Sequence, residues 1–190
     1  MADSDPHQVI REHLSVPRVV ISDTPVPGTR GWRSQQAHGG MGADAATLRF
    51  LKERGIPRRQ VHAVAFDMPE GRRIRFTCYL AQDEAGDWRF EGGAGGSAEE
   101  MPARAAPWVN LGGGGWPANF YAGGIVSDNG LDVARVRLIA ANGTIMEDTV
   151  DAGEVLFVTD QRVELPIRVE LYDRAGQMVA QHSAFERIPR

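Results

Sequence analysis

The stretch RVRLIAANGTIMEDTVDAGEVLFVTDQRVELPIRVELYDRAGQMVAQ, residues 135–181, decides the fold. Apolar and polar residues alternate in short runs, and turn sequences such as Asn142-Gly143 and Asp173-Arg174-Ala175-Gly176 separate the runs. This pattern is typical of antiparallel strands joined by tight turns. Together with its flanks it predicts strands at 119–126, 133–140, 144–150, 154–159, 167–172 and 178–185. Six or seven strands at a spacing of about 8 to 12 residues predict a β-sandwich. The predicted core residues are Val133, Val136, Leu138, Val155, Phe157, Val169, Leu171 and Val179.

Residues 107–186 resemble immunoglobulin-like or fibronectin-like modules of bacterial proteins. The most typical piece is VELYDRAGQMVA, residues 169–180, in which a strand, a tight D-x-x-G turn and a returning strand follow one another. The Cys-Trp-Cys signature of antibody domains is missing, because the single cysteine is Cys78. The resemblance implies an Ig-like antiparallel sandwich and assigns no catalytic residue.

Two helices are predicted in the first part of the chain. The first begins at Asp5 as N-cap with Pro6 in its first turn, and its apolar face holds Val9, Ile10 and Leu14. The second begins after Asp44 as N-cap and ends at Gly55. Its apolar side would consist of Leu48, Phe50 and Leu51.

After the second predicted helix, the period of the apolar residues changes from helical to about two. The alternation predicts strands around 61–66, 74–80 and 88–90, joined by turns. The predicted fold class is therefore α+β, mainly β: N-terminal helices and a three-stranded antiparallel meander, followed by an Ig-like antiparallel β-sandwich.

Glycine clusters at 92–96 and 112–115 indicate where the chain divides. The residues between them are rich in alanine and proline and follow neither a helical nor a strand period, which is typical of a linker. We predict an α+β domain at 1–96, a linker at 97–107 and a sandwich domain at 108–190.

The composition excludes several classes of protein. The 190 residues carry 21 basic and 25 acidic side chains, and this net charge of −4 argues against a nucleic-acid or anionic-membrane binder. No apolar run is long enough to span a bilayer, and the polar N-terminus lacks the pattern of a secretory signal, which predicts a cytosolic location. Lys52 is the one lysine among the basic residues, and this arginine bias indicates a GC-rich bacterial source.

Aromatic residues around the second glycine cluster form the first candidate site. Trp108, Trp116, Phe120 and Tyr121 flank four glycines. Glycine permits close approach of a partner, and tryptophan supplies a large, rigid contact area, so the segment predicts a binding loop. The alternative is that the rings pack inside the protein.

A pocket in the N-terminal part is the second candidate site. Asp87, Trp88 and Phe90 resemble the D-x-W-x-F strand of the cystatin-like or NTF2-like class, whose curled sheet can enclose a small-molecule pocket. The candidate pocket residues are His62, Arg75, Cys78, Tyr79 and Trp88. Cys78 with His62 could act as a thiolate and a base. However, the alternation places Cys78 on an apolar face, which favours a buried thiol, and His62 could equally be a core histidine with a hydrogen-bond partner.

No metal site and no cofactor are predicted, because the five histidines show no metal-ligand spacing. Carboxylates at the predicted strand ends favour solvated loops, with a weak calcium site as the alternative. These carboxylates belong to Asp128, Asp132, Glu147, Asp148, Asp151 and Glu154.

The sequence therefore predicts a non-enzymatic, cytosolic bacterial binding protein that acts through a protein partner or as a homo-oligomer, with no nucleic acid and no membrane as partner. The alternative is a small-molecule pocket, which could be hydrolytic, in the N-terminal domain.

Overall fold

The computed structural model describes residues 5–17, 19–20, 37–38, 40–97 and 104–186. Within these ranges the chain forms one α-helix, one short 3-10 helix and thirteen strands, so the fold is mainly β. No helix in the described ranges is long and apolar enough to cross a membrane. Two short strands, β1 (Val19–Val20) and β2 (Ala37–His38), pair with each other, and all the named sheets are antiparallel.

The predicted N-terminal helix is confirmed as α1 (Pro6–Ser15). The Asp5 carboxylate accepts a hydrogen bond from the His7 N–H at 3.0 Å, which satisfies one free donor of the first turn. Ile10 and Leu14, four positions apart, are fully buried on the face that packs against the strands.

The second predicted helix is wrong. Asp44 does act as a cap, but only for a 3-10 helix at Ala45–Thr47, after which the chain forms strand β3 (Arg49–Ile56). The pairing register of β3 shifts between Phe50 and Lys52, so Leu51 is an extra residue. This bulge interrupts the alternation of a strand, and the apolar residues around it therefore fall at helix-like spacing. The segment forms a strand and not a helix because its backbone pairs with the next strand, residues 59–67.

Strand β3 extends the predicted three-stranded meander to four strands. The N-terminal sheet has the order β3-β4-β5-β6, with β4 at Arg59–Asp67, β5 at Arg73–Gln82 and β6 at Trp88–Ser97. Strand β6 continues through the glycine cluster 92–96, which pairs with β5. The linker prediction lies partly on residues 98–103, outside the described residues, and the domain division stays a prediction.

The second half of the chain forms two more antiparallel sheets, and all six predicted strands are confirmed in existence and type. A seventh strand, β7, lies where the sequence predicts a binding loop, because glycines 112–114 carry no apolar alternation. The strands are β7 (Trp108–Gly114), β8 (Tyr121–Ser127), β9 (Val133–Ala140), β10 (Ile145–Thr149), β11 (Glu154–Val158), β12 (Ile167–Asp173) and β13 (Met178–Ala184). The central sheet has the order β11-β8-β7, and the outer sheet has the order β10-β9-β12-β13.

One core lies between the central and the outer sheet, which is consistent with a β-sandwich. It contains the predicted core residues, with Val179 packed at its margin. Its buried members are Val109, Phe120, Ala122, Val133, Val136, Leu138, Ala140, Met146, Val155, Phe157, Val163, Ile167, Val169 and Leu171.

The opposite face of the central sheet packs against the N-terminal sheet. Tyr79 of β5 and Tyr121 of β8 stack with parallel rings 4.6 Å apart. Val61 of β4 and Leu156 of β11 belong to the same buried cluster. Every residue of β11 is buried, because this strand faces one sheet on each side. The helix α1 covers the remaining face of the N-terminal sheet.

Buried charges connect the edge of the N-terminal sheet to the other two sheets. The Asp148 carboxylate lies 2.7 Å from Lys52 Nζ and 3.0 Å from Arg54 Nη1, and it accepts a hydrogen bond from the Leu156 N–H at 2.7 Å. Lys52 also donates to the carbonyl oxygen of Thr149. The side chains of Asp148 and Lys52 are only 9% and 10% exposed, so each charge is stabilised by the other in place of water.

We expect Gly123→Ala to lower the free energy of unfolding by about 1–3 kcal/mol, because the sheets touch at this point. An added Cβ would lie 2.1 Å from Thr77 Oγ1 and 2.9 Å from Leu156 Cδ2. Urea unfolding followed by tryptophan fluorescence measures the change. Gly96→Ala is the matched control, because a Cβ there meets nothing within 4 Å. Equal stability losses in the two variants would refute this packing.

We expect Asp148→Ala to lower the free energy of unfolding by about 3–5 kcal/mol, because it leaves the buried Lys52 charge without its partner. The control is Arg174→Ala, which removes the exposed pair with Asp132 and should cost about 0–1 kcal/mol. The same urea titration compares them. If Asp148→Ala were no more damaging than Arg174→Ala, the buried pair would not stabilise the fold.

Candidate functional site

A cleft of about 310 Å³ lies where the N-terminal sheet and the central sheet meet. Glycines from three strands border it: Gly95 and Gly96 from β6, Gly112 from β7, and Gly123 and Gly124 from β8. Because these residues lack side chains, the backbone itself forms much of the wall. The signal for this site was the paired glycines within a strand pattern, since glycine in a strand often marks close approach of another backbone.

A charged pair lies at the cleft. Arg75 Nη1 is 2.5 Å from Glu154 Oε1, and the Glu154 side chain is only 4% exposed whereas that of Arg75 is 33% exposed. Burial raises the pKa of the Glu154 carboxyl, while the positive charges of Arg75 and Lys52 oppose this rise. Thr77 and Asn110 add a hydroxyl and an amide to the lining. The cleft therefore offers a guanidinium, a hydroxyl and an amide to a polar ligand.

The rim of the cleft carries two edge strands. In the described part of the chain, β6 is the last strand of the N-terminal sheet and β7 the last strand of the central sheet. The two edges approach closely, since a Cβ at Gly112 would lie 2.7 Å from Ala94 Cβ. Near the start of β7, the Val109 N–H is covered by His182, to which it donates a hydrogen bond. The rest of the two edges has no strand partner among the described residues.

The four aromatic residues predicted to bind a partner lie in separate places. Trp108 is stacked on His182 at 3.7 Å and has the guanidinium of Arg104 over its ring at 3.8 Å. Phe120 is fully buried in the sandwich core, and Tyr121 is buried against Tyr79. Trp116, 42% exposed, is the one that presents a substantial surface to solvent.

The five residues of the predicted pocket also separate, because they alternate between the two faces of the N-terminal sheet. His62 and Cys78 lie opposite each other on β4 and β5, are fully buried, and do not border the cleft. Trp88 packs against the cluster beneath α1. Tyr79 faces the central sheet, and only Arg75 reaches the cleft. The predicted buried thiol at Cys78 is confirmed, and burial raises its pKa.

The carboxylates considered for calcium do not converge on one point in the structure. Glu147 pairs with Arg135 and Arg137, and Asp148 and Glu154 pair with the basic groups described above. Asp128 accepts a hydrogen bond from the N–H of the nearby Gly130, as is common in tight turns. Among the described residues, metal-ligand geometry is found in one cluster of histidine and glutamate side chains, on the helix-covered face of the N-terminal sheet, away from the cleft.

Comparisons with known proteins return no match: no protein-family model, no curated protein and no solved structure is similar to this chain. The features of this chain that bear on function are therefore the geometry of the cleft, its edge strands and its charged pair.

We expect Cys78 to resist alkylation by iodoacetamide in the folded protein, because its thiol is buried and its raised pKa keeps it protonated. Mass spectrometry after native labelling should show unmodified chain, and labelling in denaturant should modify it fully. The Cys78→Ser variant gives the background. Rapid native labelling would instead identify Cys78 as an accessible nucleophile.

Proposed function

We propose that this chain is a non-enzymatic binding protein that takes up an extended polypeptide segment of a protein partner along the edges of β6 and β7. The observation that carries the proposal is the pair of glycine-rich edge strands at the rim of the cleft. The cytosolic location and the bacterial source expected from the sequence remain predictions.

Edge strands favour a polypeptide as ligand. Their outward N–H and C=O groups can pair with an extended chain, which is the basis of peptide recognition by strand addition. Bulky side chains would hinder such an approach, but Gly95 and Gly96 on β6 and Gly113 and Gly114 on β7 have none.

The pair of Arg75 and Glu154 can favour some peptide sequences over others. Arg75 is one-third exposed at the cleft, so its free N–H groups can bind a carboxylate or a carbonyl of the incoming segment. Glu154 holds the guanidinium in place from beneath. Asn110, exposed on β7, adds a donor and an acceptor beside it.

The strand order supports the resemblance to Ig-like or fibronectin-like modules. Counted from β7, the seven strands are ordered 1-2-5 in the central sheet and 4-3-6-7 in the outer sheet. The constant-type immunoglobulin order is 1-2-5-4 and 3-6-7, so the two differ only in the sheet that the fourth strand joins. Sandwiches of this class are frequent in proteins that bind other proteins, which favours a binding role by analogy.

A small polar molecule in the same cleft is the second candidate. Its volume of about 310 Å³ falls at the lower end of the range for ligand pockets, and Arg75, one of the predicted pocket residues, borders it. Hydrolysis by Cys78 and His62 forms no part of this candidate, because both side chains are buried away from the cleft.

Selection from a displayed library of random peptides tests the proposal. We expect enriched peptides to bind the wild-type chain and to slow hydrogen exchange of the β6 and β7 amides. Gly96→Trp should weaken this binding about tenfold or more, because the indole would project into open space at the cleft. Ile145→Trp, at an exposed position on β10 at the edge of the outer sheet opposite β13, is the matched control and should bind normally.

If the peptides bind Gly96→Trp with the same affinity as the wild type, the cleft is not the binding site. A library that yields no binding peptide would refute the proposed function.

A small-molecule screen by thermal shift tests the second candidate. Compounds that raise the melting temperature of the wild type and not of Gly96→Trp would assign the cleft to a small ligand.

A further inference from the structure

Three side chains that could bind a metal meet on the helix-covered face of the N-terminal sheet. They are His7 near the start of α1, Glu53 on β3 and His62 on β4. Glu53 and His62 are opposite each other in the strand register, and α1 places His7 beside them. His7 Nε2 lies 3.2 Å from Glu53 Oε2, and His62 Nδ1 lies 3.8 Å from the same oxygen.

His62 contributes an unpartnered nitrogen to this cluster. Its side chain is fully buried, and Nδ1 has no hydrogen-bond partner. The other ring nitrogen, Nε2, lies 3.0 Å from the Gln60 Oε1 atom, which can only accept a hydrogen bond. In the tautomer in which Nε2 donates to Gln60, Nδ1 presents a lone pair toward Glu53. A buried polar atom without a partner is costly, so its presence calls for a partner that a lone pair can satisfy.

The surroundings hold the His62 ring in place. The hydrogen bond to Gln60 fixes the orientation of the ring, as outer partners of metal-bound histidines commonly do. His7 is held in turn by stacking on Phe50, with ring centroids 3.9 Å apart.

The distances fit a small tetrahedral ion. Bonds of about 2.0–2.1 Å to a tetrahedral zinc place the ligand atoms about 3.3–3.4 Å from one another. The separations of the two histidine nitrogens from the Glu53 oxygen, 3.2 and 3.8 Å, bracket this value, and all three ligand atoms lie within 4.8 Å of one another. His7 and Glu53 are 41% and 70% exposed, so both can adjust to complete the geometry.

We propose that His7, Glu53 and His62 bind a zinc ion, with the fourth coordination position open to solvent. Two imidazoles and one carboxylate suit this borderline-soft ion, whereas calcium and magnesium need more oxygen ligands. The ion connects α1 to β3 and β4. This site is independent of the cleft proposed for polypeptide binding, because it lies on the other face of the N-terminal sheet.

Calorimetric titration with zinc chloride tests the site on the 190-residue chain, free of any histidine tag and stripped by a chelator that is then removed. We expect one zinc per chain, and visible absorption bands of tetrahedral Co²⁺ when cobalt replaces zinc. His7→Ala and Glu53→Gln should each weaken zinc affinity about tenfold or more. Both positions are solvent-accessible, so these variants should fold even if a variant of buried His62 does not.

His13→Ala is the matched control. It removes a histidine from the same helix, but His13 stacks on Phe90 and lies outside the cluster. It should bind zinc like the wild type. Absence of one-to-one binding would overturn the proposal, as would an unchanged affinity in His7→Ala or an equal loss in His13→Ala.

Discussion

Burial of the central sheet on both faces is the constraint on which the rest of the structure depends. A strand in such a sheet cannot alternate between core and solvent, because both sets of side chains must pack. This explains why all residues of β11 are buried and why β8 combines Tyr121, which faces the N-terminal sheet, with Ala122, which faces the outer sheet. Glycine at position 123 follows from the same demand, since the β5 strand passes too near for a side chain. The central sheet thus joins the N-terminal sheet and the outer sheet through two shared cores.

The polar features of the molecule follow from this stacking. Charged side chains lose contact with water where the sheets meet at an edge, so they need partners of opposite charge. Asp148 and Glu154 are these partners for basic residues of the N-terminal sheet. Where glycines replace side chains at the same junction, the sheets enclose space instead of filling it. The cleft therefore lies beside the points of closest contact, and the Arg75–Glu154 pair that borders it lies near the charges that stabilise the junction.

Local patterns in the sequence predicted the elements whose structure depends on neighbours in the chain. Helix α1 and the strands that alternate cleanly fall into this class, and so does the buried position of Cys78. The bulge at Leu51 imitated helical spacing, and the glycines of β6 and β7 resembled loops because glycine carries no apolar signal. The candidate sites depend on residues far apart in sequence. Arg75 meets Glu154, and His7 meets Glu53 and His62, only after the sheets and helix have packed, so spacing along the chain could not reveal either group.

The double-sided central sheet also sets an order of events during synthesis. The N-terminal sheet leaves the ribosome with Val61 and Tyr79 on an uncovered face, and the residue that covers them from β11, Leu156, follows Tyr79 roughly 77 residues later. At elongation rates of about 5–20 residues per second, this interval lasts on the order of 4 to 15 s. During that time the N-terminal sheet lacks the strand β11 that completes the cover of its apolar face, so this face can associate with chaperones or with neighbouring chains.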